Sequence, residues 1–250
     1  MLIAKSQNGF TLAETLITLG IIGVVAALTI PTLISKYQEK VLVNLAKKNY
    51  SIVMNALNMY NTDNDSLGNY STLMDYSKSD IEIMTDFIKY FNGAQPCYQG
   101  QKAVCDLSYK IRYAKPVNNG QGKNAFFAYP NVHSTILLAD GSFLAIRRDT
   151  TQAGDCGFSW TSNVSDENGN YIKNDDGSYK TTQRTSTRCG RITVDTNGAK
   201  GPNRVGSDVF TYQVLTNKVF FSTEEGNLNY ILQHNKVQPY QNYNEGDFNK

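Results

Sequence analysis

Few side chains in this sequence could act on a substrate. The 250 residues include two histidines, His133 and His234, in unrelated contexts. No G-x-S-x-G elbow, H-E-x-x-H helix, Walker-type loop or G-x-G-x-x-G turn is present. His133 reads as a surface or packing residue, no catalytic group is assigned, and the chain is read as a non-enzyme. The four cysteines, Cys97, Cys105, Cys156 and Cys189, lack C-x-x-C spacing, so neither a zinc nor a redox site is written. An even count in an exported domain favours disulfides. Of three pairings, Cys97–Cys105 with Cys156–Cys189 is preferred, because the first closes a short local loop. The stretch Asp195-Thr-Asn197-Gly-Ala-Lys-Gly-Pro-Asn-Arg-Val-Gly-Ser-Asp208 offers hard oxygens of the kind calcium takes. It lacks the bidentate glutamate of an EF-hand, and the competing reading is a glycine-rich turn in which Asp195 and Asp208 cap backbone amides. Trp160, inside a polar region bounded by cysteines, reads as a loop anchor, with an exposed ligand contact as the alternative.

The residue most in need of explanation is Glu14. It is the one charge in the 25 residues from Phe10 to Ile34, a run otherwise dominated by Leu, Ile, Val, Ala, Thr and Gly. A helix of that length, at 1.5 Å per residue, spans a hydrocarbon core about 30 Å thick. A charge at bilayer depth costs at least about 2.5 kcal/mol, so something must offset Glu14. A secretory signal has an apolar core of about 7–15 residues and a small-residue cleavage site after it; this run is longer and carries no such site. A plain anchor fits the length but gives no reason for the carboxylate. A leader cut on the cytoplasmic side, ahead of the apolar helix, accounts for both.

The residues that carry this third reading are Lys5, then Gly9 before Phe10, Thr11-Leu12, Glu14 and the unbroken apolar run. Over residues 5–34 the sequence resembles the type IV pilins and the pseudopilins of type II secretion. The resemblance implies that prepilin peptidase cuts between Gly9 and Phe10 and methylates the new Phe10 amine. Such a cut creates a free amine one helical turn from Glu14, which can pair with it in the membrane or with a neighbour's Phe10 amine in a filament; the competing reading is a carboxylate near the interface that merely snorkels. Pro31 is a second position with the family's residue type, and it should kink or locally melt the helix. Gly20 and Gly23 loosen the helix or let others approach closely. The implied partners are other pilin or pseudopilin subunits, the peptidase and the cytoplasmic membrane, with the globular part outside. Late loops of pseudopilins often hold calcium, which bears on Asp195, Asn197 and Asp208.

The rest of the chain must position this helix. The formal charge is +2, and without Lys5 it is +1, which gives no electrostatic case for nucleic acid. The expected division is a leader at 1–9, a membrane or filament-core helix at 10–34, and its amphipathic continuation at 35–60. A globular domain at 61–232 and a polar tail at 233–250 follow. In the continuation Val41, Leu45, Ile52, Ala56 and Met59 share one face, and Leu42, Ala46, Val53 and Leu57 widen it. A second helix is written over Asp80–Phe91, with Ser79 and Glu82 at capping-box spacing and Asn92-Gly93 as its stop. Strands are expected at Tyr109–Lys115, in a hairpin around Asp140-Gly141, and at 191–195, 208–215 and 218–222. Residues 150–190 read as a long polar surface excursion. Helices first and turn-linked strands afterwards define an α+β fold, an antiparallel sheet packed on the long helix. The resemblance implies the same arrangement, a sheet wrapping the outer half of the N-terminal helix. The function expected is that of a filament subunit, the alternative being a membrane-tethered binding module that does not polymerise.

Overall fold

The structure, a computed structural model, describes residues 11–97, 111, 134–149, 156–166, 170–221 and 226–238. Gly9, Phe10, Cys105, His133 and the strand expected at Tyr109–Lys115 (Ile111 excepted) lie outside this set, as does the tail from 239 onward. The chain divides into two units, residues 1–41 and 42–250. Helix α1, Leu12–Asp63, contributes its first part to one and its second part to the other.

In the second unit the inner seam of α1 is Val43, Ala46, Asn49, Val53, Ala56, Leu57 and Tyr60, all buried. This corrects the expected stripe. Val41 and Met59 are exposed, Met59 by 53%, and the buried seam runs through Asn49, which a pattern built on apolar residues alone passes over. Helix α2, Asp80–Phe87, starts with the full Ser79/Glu82 capping box. It is shorter than expected because Ile88–Tyr90 tightens into a 3-10 turn. Ile83, Met84 and Phe87 join the α1 seam in one core.

Among the described residues the opposing layer is a six-stranded antiparallel sheet in the order β1-β2-β3-β6-β7-β8. Its strands are β1 Gln95–Cys97, β2 Ser134–Leu137, β3 Phe143–Arg148, β6 Arg188–Asp195, β7 Val209–Leu215 and β8 Val219–Phe221. Alternation sends Leu144, Ile146, Ile192, Val194, Phe210, Tyr212 and Val214 into the core. Burying each such side chain contributes about 1.5–3 kcal/mol. Strand β1 is not written in the sequence as a strand, since Pro96 interrupts it; among the described residues β1 pairs only with β2, an edge position where a proline is tolerated. The β2–β3 turn uses Asp140-Gly141 as expected, but in a longer loop. Gly141 adopts φ 87°, its N–H donates to the Leu138 carbonyl at 3.0 Å, and Leu138 N–H donates to the Ser142 carbonyl at 2.9 Å. Asp140 accepts from Ser142 N–H and pairs with Lys48 of α1 at 2.8 Å.

Between β3 and β6 the polar excursion is a second, two-stranded sheet. Strands β4, Phe158–Asn163, and β5, Thr181–Ser186, pair antiparallel throughout. Single bridges, Ser165 to Tyr171 and Lys173 to Tyr179, prolong the ribbon. No apolar alternation announces it because it is largely exposed to solvent. Its base is fixed twice. A disulfide joins Cys156 to Cys189, the latter at a register shift in β6. Beside it the enclosed Asp149 meets the Nε atoms of Arg188 at 2.5 Å, Arg191 at 3.1 Å and Arg147 at 3.6 Å. Helix α3, Leu228–His234, closes the core with Leu228 and Ile231 and carries order past the expected start of the tail at 233.

Candidate functional site

Helix α1 begins where the chemistry of the chain is concentrated. Thr11 N–H and Thr11 Oγ1 both donate to Glu14 Oε2 at 2.8 Å. Glu14 N–H donates back to Thr11 Oγ1 at 3.2 Å. This is a reciprocal capping box at the start of an apolar helix, where free N–H groups and the positive end of the helix dipole both favour a carboxylate. Charge-assisted hydrogen bonds of this kind are about twice as strong as neutral ones. They meet part of the cost of Glu14 within its own chain.

The sequence offers Thr11 as part of the family pattern, and its capping role is what the structure adds. The signal is present: Thr11-x-x-Glu14 has the same spacing as the Ser79-x-x-Glu82 capping box of α2.

The helix that follows is built for an apolar medium. Nearly every side chain from Leu12 to Ile34 is exposed, and the helix contains a window apolar and long enough to cross a membrane. Its hydroxyls are satisfied internally: Thr15 donates to the Leu12 carbonyl at 2.9 Å, Thr18 to Glu14 at 2.6 Å and Thr29 to Val25 at 2.9 Å. The helix runs on through Pro31, which can be accommodated when its neighbours keep helical geometry. A Cβ built on Gly20 or Gly23 meets nothing within 4 Å, so packing inside this chain does not require either glycine.

The other sequence-predicted groups are widely separated in role. Cys156 and Cys189 form the expected disulfide, and Cys97 is also disulfide-bonded. Asp195 Oδ1 accepts the N–H groups of Asn197 at 3.2 Å and Gly198 at 2.9 Å. Asp208 accepts Asn203 N–H at 2.8 Å on one oxygen and Arg204 N–H at 2.6 Å on the other. Asn197 Nδ2 donates to the Gly201 carbonyl at 3.2 Å. Calcium takes six to eight oxygens around one point. Here the carboxylates turn onto the loop's own amides, and no cluster of three acidic, His or Cys side chains suited to a metal occurs among the described residues. The geometry does not fit a calcium cage. Burial pushes the Asp208 carboxyl up to about 6, against the two amides, which favour its charged form.

Residues 4–30 match the family model described as the prokaryotic N-terminal methylation motif. That motif is the signature of the prepilin-type segment of type IV pilins and pseudopilins. No curated protein and no solved structure matches the chain. The motif, an apolar helix near the N-terminus long enough to cross a membrane and an α+β body together support a pilin-like precursor.

Proposed function

We propose that this protein is a pilin or pseudopilin subunit, cut between Gly9 and Phe10, methylated on Phe10 and assembled through α1 into a type IV pilus-like or type II secretion-like filament. The observation that carries the reading is the pairing of an exposed apolar helix with an acid held at its start. An apolar surface of this length must be covered, by lipid before assembly and by neighbouring helices after it. Glu14, already oriented by Thr11, then has lone pairs left to accept from the Phe10 amine of a neighbour. Such a bond would fix axial register, since an unpaired carboxylate in the filament core would be strongly penalised. Gly20 and Gly23, open on their own chain, let another helix approach closely.

The disulfides favour an oxidising, extracytoplasmic side for residues 42–250. The distribution of lysines argues the other way. Lys5 precedes the apolar run, whereas Lys36, Lys40, Lys47 and Lys48 follow it, and basic residues usually stay in the cytoplasm. We give the disulfides more weight, because long domains translocate largely regardless of charge. The polar ribbon between β3 and β6 would then serve as the outward surface specific to this subunit.

Mass spectrometry of the mature N-terminus, on membranes and on sheared surface material, tests the proposal. A chain starting at methylated Phe10 in both fractions is expected. An intact Met1, or a cut after residue 30, refutes it. Glu14→Ala separates assembly from tethering: the variant should reach the membrane and be missing from the sheared fraction. Sheared variant at the wild-type level would show that assembly does not need Glu14, and wild type confined to membranes would leave the tethered binding module as the answer.

A further inference from the structure

The ribbon has two unlike faces. Residues directly opposite on paired strands share a face, and successive residues alternate. Trp160, Ser162, Thr182 and Arg184 therefore lie on one side, where Trp160, Thr182 and Arg184 are exposed and Ser162 and the neighbouring Val164 are half-buried. Thr161 with Gln183, and Asn163 with Thr181, lie on the other, which continues through the bridges to Tyr171 and Tyr179. On this second face every one of these side chains is exposed except the half-buried Asn163.

The two tyrosines are 59% and 48% exposed, yet they are not loose. Their rings meet edge to face at 5.7 Å, and Lys173 Nζ sits 5.3 Å from the centre of the Tyr179 ring. Large aromatic surface held in fixed geometry and left in water does nothing for the core. It costs little to order on binding, because a tyrosine loses few rotamers.

We propose that this face binds a neutral polysaccharide chain. Hydroxyl and amide side chains in register offer donors and acceptors together, which matches the paired donor and acceptor character of sugar hydroxyls. The tyrosine rings supply flat apolar surface for the C–H faces of a pyranose. From Cys156 to Cys189 the sequence has four basic and four acidic residues, so the ribbon as a whole carries no net charge that would select an ionic polymer, and the cation beside the ring pair, Lys173, is engaged over the Tyr179 ring. The Cys156–Cys189 bond and the β4–β5 ladder present the face as a rigid strip.

The assignment rests on the ribbon being the outward surface of the proposed subunit, and its test is independent of assembly. Full-length protein in detergent is passed over immobilised dextran, mannan and laminarin, with alginate as an acidic comparison. Retention on at least one neutral polymer is expected. Tyr171→Ala/Tyr179→Ala should weaken it about tenfold or more, while Thr182→Ala/Arg184→Ala on the opposite face leaves it unchanged. Thr161→Ala/Gln183→Ala, away from the ring pair, should also weaken retention, with circular dichroism as wild type, which separates lost contacts from a lost ribbon. No retention on any neutral polymer, retention on alginate alone, or equal loss from both faces overturns the proposal. None of these results alters the mature N-terminus, so a failed filament reading and a failed binding face remain distinguishable.

Discussion

Removing the Cys156–Cys189 bond probes how the ribbon is held to the sheet. The bond joins residues 33 apart in sequence. By loop-closure entropy, a cross-link of that span lowers the freedom of the unfolded chain by about 4 kcal/mol at 25 °C. A small domain has a net stability of about 5–15 kcal/mol, so the loss is a large fraction of the whole. Cys156→Ala/Cys189→Ala is the suitable variant, because Cys189 is fully buried and a serine there would add an unsatisfied hydroxyl. The sole tryptophan, Trp160, lies in β4 and reports on the ribbon, whereas far-UV circular dichroism is dominated by the helices and the larger sheet. Guanidinium unfolding in detergent should show wild type losing both signals in one transition. In the variant both midpoints should fall, and the fluorescence transition should come first, since Asp149 and its arginines hold only the ribbon's base. A loss below about 1 kcal/mol with coincident transitions would refute the reasoning, because it would mean that the ladder and the arginine cluster already fix the ribbon without the bond.

Asp208 has a folded pKa of about 6 against an ordinary 3.8. Between those values the folded state keeps a proton that the unfolded chain has released, so its contribution is full below pH 4 and lost as pH rises through 6. Wild type should lose about 2 kcal/mol of stability relative to Asp208→Asn between pH 4 and pH 7, measured by parallel denaturant titrations; an unchanged difference would show the carboxyl to be ordinary. Gly190→Ala should destabilise by about 1–3 kcal/mol in thermal melts, because its Cβ would lie 2.6 Å from Met74 Sδ and 2.7 Å from the Arg147 carbonyl. A melting point equal to wild type would mean that β6 shifts freely there. Ser79→Ala removes the N-cap of α2 and should cost about 0.5–2 kcal/mol in the same assay, with an unchanged melt refuting the capping role.

Local chemistry was legible in the sequence where a short pattern has one physical solution. Ser79-x-x-Glu82 capped a helix with apolar spacing after it, Asp140-Gly141 turned between two apolar runs, and the 25-residue apolar stretch pointed to a helix long enough to cross a membrane. The class of the fold followed from the order of elements, helices before turn-linked strands. What the tertiary structure decided were matters of partnership. Asn49 belongs to the α1 seam because the core accepts its Nδ2–H···O bond to Leu45 at 3.1 Å, which no hydrophobic pattern signals. Pro96 can be a strand residue because β1 is the edge of the described sheet. The Thr-rich ribbon of β4 and β5 forms by pairing with itself, without a buried face, so the alternation that marks an ordinary strand is absent. Asp195 and Asp208 carry the residue types of a cation loop, and only their distances to backbone amides show where their lone pairs go. A sequence specifies which groups each residue can offer; the folded chain determines which of them meet.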